Sequence, residues 1–136
     1  MYGNPTFDCG GAQIHALCRQ LATVVKVDGV IDETNVERVT AFAQRFVLAE
    51  KPFVLDLSGV DSSAVQCVSL LTAVDEGCFH VGVEWSLIAS QPVLRAVLAT
   101  GNSFPVADSV PDALHHFSDS IDERRRLLPL LTKKTA

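Results

Sequence analysis

Several segments of the chain carry the apolar pattern of β-strands. The β-branched run Ala22–Asp28 stops at Gly29, and Phe53–Leu57 is apolar throughout except at Asp56. Because a strand that is covered on both faces is continuously apolar, the second run is predicted to lie in the interior of its sheet. Three further candidates complete the set of predicted strands: Val81–Ala89, Phe104–Val106 and, as an edge strand, Gln13–Cys18.

Apolar residues recur at helical spacing in four other segments. Thr34 and Glu37 fit a capping box ahead of the first segment, which is predicted to form a helix ending near Glu50. The second helix follows the run Phe53–Leu57 and is predicted to end near Gly77. Serines that suit the N-cap position precede the other two helices: Ser90 and Ser109. Strands that alternate with helices predict mainly parallel pairing with right-handed crossovers.

The pattern predicts a fold of the α/β class, or α+β with a mixed sheet. A chain of 136 residues with 48% hydrophobic side chains is long and apolar enough for one domain with its own core. We expect an N-terminal segment over residues 1–20, the domain proper over 21–118, and a C-terminal helix or tail over 119–136. The predicted core consists of Val54, Leu55, Leu57, Val68, Leu71, Val83, Trp85, Leu87, Val97 and Leu98.

Charge and composition exclude several classes of function. The formal net charge is −5, and the basic residues cluster only near the C-terminus, so direct binding of nucleic acid is not expected. No apolar run approaches the roughly 20 residues needed to cross a bilayer, and no secretion signal precedes the domain. We therefore expect a cytoplasmic protein. Its four cysteines include no C-x-x-C pair, which favours buried, unreactive thiols.

No catalytic motif is present in the sequence. No histidine lies four residues from another His or Cys, and neither a nucleophile elbow nor a phosphate-binding glycine loop occurs. Asp56 lies near the end of a strand, as the phosphate acceptor of receiver domains does, but the acidic pair which that chemistry needs is missing. We therefore expect no enzyme, no cofactor and no metal. One alternative remains open, a thiol enzyme or redox sensor that uses Cys67 at a helix N-terminus.

Three motifs occur in a characteristic order: VKVDGVID at 25–32, VLDLSGVD at 54–61 and WSLIASQPVLRAVLATG at 85–101. In this order the chain resembles the STAS family of bacterial anti-sigma factor antagonists, over roughly Ala22 to Phe117. The resemblance implies about five strands in a mixed sheet, with about four helices packed mainly on one face. It also implies an anti-sigma factor as partner, commonly a kinase of the histidine-kinase-like ATPase class, and leaves a homodimer open.

The resemblance implies a binding surface formed by the turn Gly29–Asp32 together with Ser62–Cys67 and the first exposed turn of the second helix. Members of the family carry a serine there whose phosphorylation weakens the complex. Gapless spacing places Gln66 at that position, whereas a three-residue slip would instead place Ser62 and Ser63 in the serine box. The candidate partner-binding residues are Gly29, Asp32, Ser62, Ser63, Ala64, Gln66 and Cys67.

A second function is compatible with the same fold. Domains of this kind also serve as small subunits of membrane lipid-transport ATPase complexes. The apolar run LLPLL at 127–131 would suit docking to a larger subunit.

Overall fold

The computed structural model describes residues 6–18, 21–62 and 64–119. The strands are β1 (Thr6–Asp8), β2 (Ala12–Cys18), β3 (Thr23–Ile31), β4 (Phe53–Ser62) and β5 (Trp85–Ala89). The helices are α1 (Val36–Arg45), α2 (Ala64–Val81) and α3 (Gln91–Ala99), and residues 110–119 form a further helix, α4. The predicted class, a mixed sheet of five strands with four helices, is confirmed. Of the predicted C-terminal segment, residues 120–136 lie outside the described residues.

The five strands form one sheet in the order β1-β2-β3-β4-β5. Strands β3, β4 and β5 pair in parallel, whereas β1 with β2 and β2 with β3 pair antiparallel. The expectation of mainly parallel pairing is therefore wrong for half of the sheet. The predicted edge strand is also misplaced, because β2 is covered by β1 on one side and β3 on the other. Residues 6–18 are thus part of the same sheet as the rest of the domain.

Strand β3 continues through the segment that the sequence predicts as a turn. Gly29 pairs with Ala12 on one side and Val60 on the other, and pairing continues to Ile31. A register shift lies between Lys26 and Asp28, and Gly29 has a positive φ of 105°. A side chain at Gly29 would collide with the carbonyl oxygen of Gly11 in the neighbouring hairpin. Gly29 therefore marks an irregularity within the strand, and the chain turns only after Ile31.

Helix α1 differs from its prediction at both ends. Its N-cap is Asn35, and no side chain caps it, so the predicted capping box of Thr34 and Glu37 does not form. The Thr34 hydroxyl donates to Asp32 instead. The helix ends at Arg45 rather than near Glu50.

Helix α2 is longer and β5 shorter than the apolar pattern predicts. The helix extends to Val81 and is followed by Gly82, which has a positive φ of 76°. The Val83 amide then donates to the Cys78 carbonyl at 3.0 Å, so residues 81–84 close the helix rather than open the strand. Phe104–Val106 likewise forms no full strand, because only Val106 bridges to the edge strand, at Leu87.

The core lies on both faces of the sheet. Helices α1, α2 and α3 pack on one face, and α4 packs on the other through Ala113 and Phe117, against Val24, Val54 and Ile88. The prediction of helices mainly on one face is confirmed. Of the predicted core residues, Val68 and Val83 are partly buried, and the following are buried: Val54, Leu55, Leu57, Leu71, Trp85, Leu87 and Val97. The prediction is wrong for Leu98, which is 64% exposed because the neighbouring Val97 faces the core.

Candidate functional site

The predicted binding segments meet at one end of the sheet. Because β3 and β4 are parallel, their carboxyl ends lie side by side, with Val30 opposite Asp61 and Ile31 opposite Ser62. Helix α2 begins at Ala64, directly after the end of β4. We call Gly29–Asp32 together with Ser62 and Ala64–Cys67 the strand-end surface. Exposed ends of parallel strands are where such sheets commonly carry function.

A compact loop follows β3 on the strand-end surface. The carboxylate of Asp32 accepts hydrogen bonds from the Thr34 amide, at 2.9 Å, and from the Thr34 hydroxyl, at 2.5 Å. The Asp32 amide donates to the side-chain oxygen of Asn35 at 2.9 Å. Local bonds of this kind let Asp, Thr and Asn satisfy a turn without regular secondary structure. The loop is therefore held by its own side chains.

Asn35 joins this loop to the rest of the sheet. Its side chain is buried, and its amide nitrogen donates to the carbonyl oxygens of Val30, at 2.8 Å, and Gly10, at 3.1 Å. Gly10 belongs to the turn between β1 and β2, so one side chain connects three separate pieces of backbone. The sequence reasoning missed Asn35. The available signal was its place beside Asp32 and Thr34, all of them types that bond locally to backbone.

Asp32 and the exposed Glu33 place two acidic residues on this loop. Hydrogen bonds from the Thr34 hydroxyl and then from the Thr34 amide lower the pKa of the Asp32 carboxyl group. Asp32 is therefore anionic throughout the neutral range. A partner that contacts this loop meets a fixed negative charge.

The start of α2 supplies the other half of the surface. Gln66 is the third residue of the helix, and no acidic residue occurs in the first turn. The first turn of α2 therefore supplies no carboxylate to balance the positive end of the helix dipole. Cys67 is fully buried and packs in the core, and the prediction that it contacts a partner stays a prediction. Ser63 lies outside the described residues.

The thiols are mostly inaccessible. Cys9, Cys67 and Cys78 are buried, whereas Cys18 is exposed, so the expectation of buried cysteines is wrong for Cys18 alone. Burial, with Asp75 nearby, raises the pKa of Cys78 to about 12, and burial also raises the pKa of Cys9. These shifts disfavour the reactive thiolate.

The carboxylate of Asp56 forms its hydrogen bonds within its own strand. The residue is buried, and its side chain accepts hydrogen bonds from the Ser58 amide, at 3.0 Å, and from the Ser58 hydroxyl, at 2.7 Å. Within the described ranges, no group of three or more His, Cys, Asp or Glu side chains could hold a metal ion. No helix in the described part of the chain is both long enough and apolar enough to cross a membrane.

Comparison with known proteins identifies the family. The family model described as "Mlab, STAS domain" matches residues 18–102. The chain belongs to the STAS domain family. This STAS domain is 43% identical, over 138 residues, to Osmosensory protein A of Mycobacterium tuberculosis (strain ATCC 25618 / H37Rv), and the match covers 96% of this chain and 87% of that protein.

Solved structures share the fold at low sequence identity. An anti-sigma factor antagonist from Mycobacterium paratuberculosis has a TM-score of 0.66 at 22% identity, and the match covers 79% of this chain and 94% of that one. RsbS from Moorella thermoacetica has a TM-score of 0.68 at 16% identity, and the match covers 80% of this chain and 97% of RsbS. The anti-sigma factor antagonist SpoIIAA in its unphosphorylated form has a TM-score of 0.59 at 14% identity, and the match covers 82% of this chain and 96% of SpoIIAA. At these identities the likeness establishes the fold of this STAS domain.

Proposed function

We propose that this STAS domain is an anti-sigma factor antagonist. It binds an anti-sigma factor through the strand-end surface and thereby regulates sigma-factor-dependent transcription in the cytoplasm. The observation that carries the proposal is the pairing of Ile31 with Ser62, which brings the loop at Asp32 beside the start of α2. Two solved proteins of the same fold are named anti-sigma factor antagonists, which supports the same role here.

The proposed role is binding without catalysis. The buried Cys67 and the raised pKa of Cys78 disfavour the thiol enzyme or redox sensor that the sequence left open. The proposed partner is an anti-sigma factor of the histidine-kinase-like ATPase class. Its surface is expected to offer a cation to the carboxylate of Asp32, whose lowered pKa keeps it charged.

Two substitutions test the binding surface. Asp32→Lys reverses the charge of the loop, and Ala64→Trp places a large side chain where α2 begins. Each is expected to weaken binding to the cognate anti-sigma factor, measured by calorimetry, while circular dichroism shows a folded domain. Asp112→Lys, an exposed residue of α4 on the opposite face, is the matched charge control and should bind normally. Wild-type affinity in both test variants would place the interface elsewhere.

The proposal includes a degenerate phosphorylation box. Gln66 offers no hydroxyl for phosphate, so in the gapless alignment the usual switch is absent and the domain binds permanently. The alternative is phosphate on Ser62 or Ser63, just before α2. A group carrying roughly −1.5 to −2 charge there would be favoured by the helix dipole yet would disrupt an interface built for a hydroxyl.

Incubation with the cognate anti-sigma kinase and ATP, followed by mass spectrometry, separates these alternatives. We expect no phosphate on the wild type and phosphate on the Gln66→Ser variant. Stoichiometric phosphate on Ser62 or Ser63, together with loss of binding, would overturn the degenerate box and restore the ordinary switch.

A second candidate function is that of a STAS-fold subunit in a membrane lipid-transport ATPase complex. It is retained because the matching family model is described by the name Mlab and not as an anti-sigma factor antagonist. Affinity purification from the native cell distinguishes the two. Stable recovery of a transporter ATPase, with no anti-sigma factor, would favour this candidate.

A further inference from the structure

An apolar groove runs along the outer side of α3. It encloses about 240 Å³ between the helix, the edge of β5 and residues 102–106. Two of its walls are exposed aliphatic side chains, Leu98 at 64% and Val106 at 52%. We call it the α3 groove, and its apolar walls are Leu87, Leu94, Val97, Leu98, Phe104 and Val106.

The polar residues of the α3 groove include one cation and no acid. They are Gln91, Arg95 and Asn102. Gln91 and Arg95 lie one turn apart on α3, beside the parallel row formed by Leu94 and Leu98. Among the described residues, no ion pair joins Arg95 to a carboxylate. A complementary occupant therefore combines an apolar side chain with an acidic neighbour.

The size of the groove favours a single anchoring side chain over a free small molecule. Its volume of about 240 Å³ lies below the roughly 300–1,000 Å³ typical of small-molecule sites. Protein interfaces commonly depend on one large side chain that fills such a pocket, with a charged pair at its rim.

Helix α2 presents that combination on another part of the same molecule. Phe79 is 83% exposed, the largest exposed fraction among the described large hydrophobic residues. Glu76 lies one turn before it on the same helix and is exposed. No salt bridge engages Glu76 within the described part of the chain. The exposed aromatic ring and its acidic neighbour match the apolar walls and the cation of the α3 groove.

We propose that two copies of this chain associate by inserting Phe79 of one copy into the α3 groove of the other. Arg95 then pairs with Glu76 across the interface. The contact joins two different surfaces, so copies associate either as a closed pair with two such contacts or as a longer series. Phe79 lies fifteen residues after Ala64 on α2, about 22 Å along the helix axis. The anchoring side chain is therefore remote from the strand-end surface of its own copy.

Other candidate occupants match the apolar walls and the cation of the α3 groove less well. The apolar run LLPLL of this chain directly follows Arg124, Arg125 and Arg126, which carry the same charge as Arg95. A different protein would have to offer an exposed aromatic side chain beside a carboxylate, which Phe79 and Glu76 of α2 already supply.

Two single variants test the proposal on the full chain. Phe79→Glu removes the anchor and keeps the groove, whereas Leu98→Glu blocks the groove and keeps the anchor. Sedimentation velocity over a range of concentrations should show self-association of the wild type and monomers for each variant alone. Mixing the two variants should restore one contact and give a heterodimer. Leu48→Glu, at another exposed apolar residue, is the control and should associate like the wild type.

The charges provide a second readout. Arg95→Glu and Glu76→Arg should each weaken self-association by roughly tenfold or more, because each variant alone places like charges against each other across the contact. A mixture of the two variants should recover association, because Glu76 of one copy then meets Arg95 of the other and the two introduced side chains also carry opposite charges. The double variant carrying both changes should recover association, since the pair is restored with reversed sign.

Three outcomes would overturn the proposal. A wild type that stays monomeric at the highest soluble concentration shows that the surfaces do not meet. Variants that associate as the wild type does would place the contact elsewhere. Monomeric wild type that becomes associated when Leu127, Leu128, Leu130 and Leu131 are changed to serine would show that the tail of the chain occupies the groove.

Discussion

Asn35 is the residue on which the geometry of the strand-end surface depends. It is buried and bonds to Val30, Gly10 and Asp32. We expect Asn35→Ala to lower the free energy of unfolding by about 1–3 kcal/mol, because buried carbonyl groups lose their donor. Urea denaturation measures the change, with the exposed Glu37→Ala as a near-neutral control on the same helix. Equal midpoints for the two variants would contradict the role assigned to Asn35.

The carboxyl group of Asp32 makes the stability of the domain depend on pH. Its pKa is lowered in the fold, so its contribution to stability is fully present above the unfolded pKa and is lost as pH falls through the folded pKa. Thr34→Val removes the hydroxyl that causes the largest part of the shift. NMR titration of the side-chain carbon should show a higher pKa in this variant than in the wild type. An unchanged value would show that the backbone bond alone sets it.

Among the secondary-structure elements, β4 is an interior strand of the sheet, between β3 and β5. Leu57 is fully buried between the pairing strands β3 and β5 and belongs to the core beneath α2. Leu57→Ala should cost about 2–5 kcal/mol, since it removes buried methyl groups and leaves a cavity. Chemical denaturation provides the measurement, and Leu98→Ala, on the exposed side of α3, serves as the comparison. A loss below about 0.5 kcal/mol would contradict the interior position of Leu57.

The same strand shows what the sequence could predict about elements. Its apolar half, Phe53–Leu57, was predictable because burial on both faces demands an unbroken apolar run. The extension to Ser62 was not, since Gly59 and Asp61 lack strand propensity and are held by pairing with β3. Ahead of α1, the predicted capping box required the Thr34 hydroxyl to accept from the Glu37 amide, whereas in the structure that hydroxyl donates to Asp32 and Asn35 takes the N-cap position. Long-range pairing therefore fixed the details of the candidate site.

At the scale of the whole molecule, the accessibility of the thiols is predictable from burial. A maleimide probe added to the native protein should label Cys18 quickly and leave Cys9, Cys67 and Cys78 unlabelled until denaturant is added. Mass spectrometry of the labelled protein counts the modified sites. Fast native labelling of Cys67 would contradict its place in the core and revive the thiol-enzyme hypothesis. The Cys18→Ser variant is the control and should take up no label while folded.

The mixed sheet shows the limit of sequence reasoning at this scale. The order of strands and helices predicted about five strands and four helices, but β1 was missed and the predicted strand Phe104–Val106 forms only a bridge. It did not predict that β2 would pair antiparallel with β3, because a hydrophobic pattern specifies which face a residue takes and not which neighbour it pairs with. The proximity of Asp32 to the start of α2 was predictable only through the family resemblance.

The bridge between Leu87 and Val106 affects how the protein behaves when concentrated. The Leu87 amide donates to the Pro105 carbonyl at 2.7 Å, and its carbonyl accepts from Ala107 at 2.9 Å. The middle of β5 therefore has no free backbone groups on its outer side, and Pro105 offers no N–H to an incoming strand. At the other margin, β1 spans three residues in the described part of the chain. Neither margin is a good template for strand addition, so the native fold resists amyloid-like stacking.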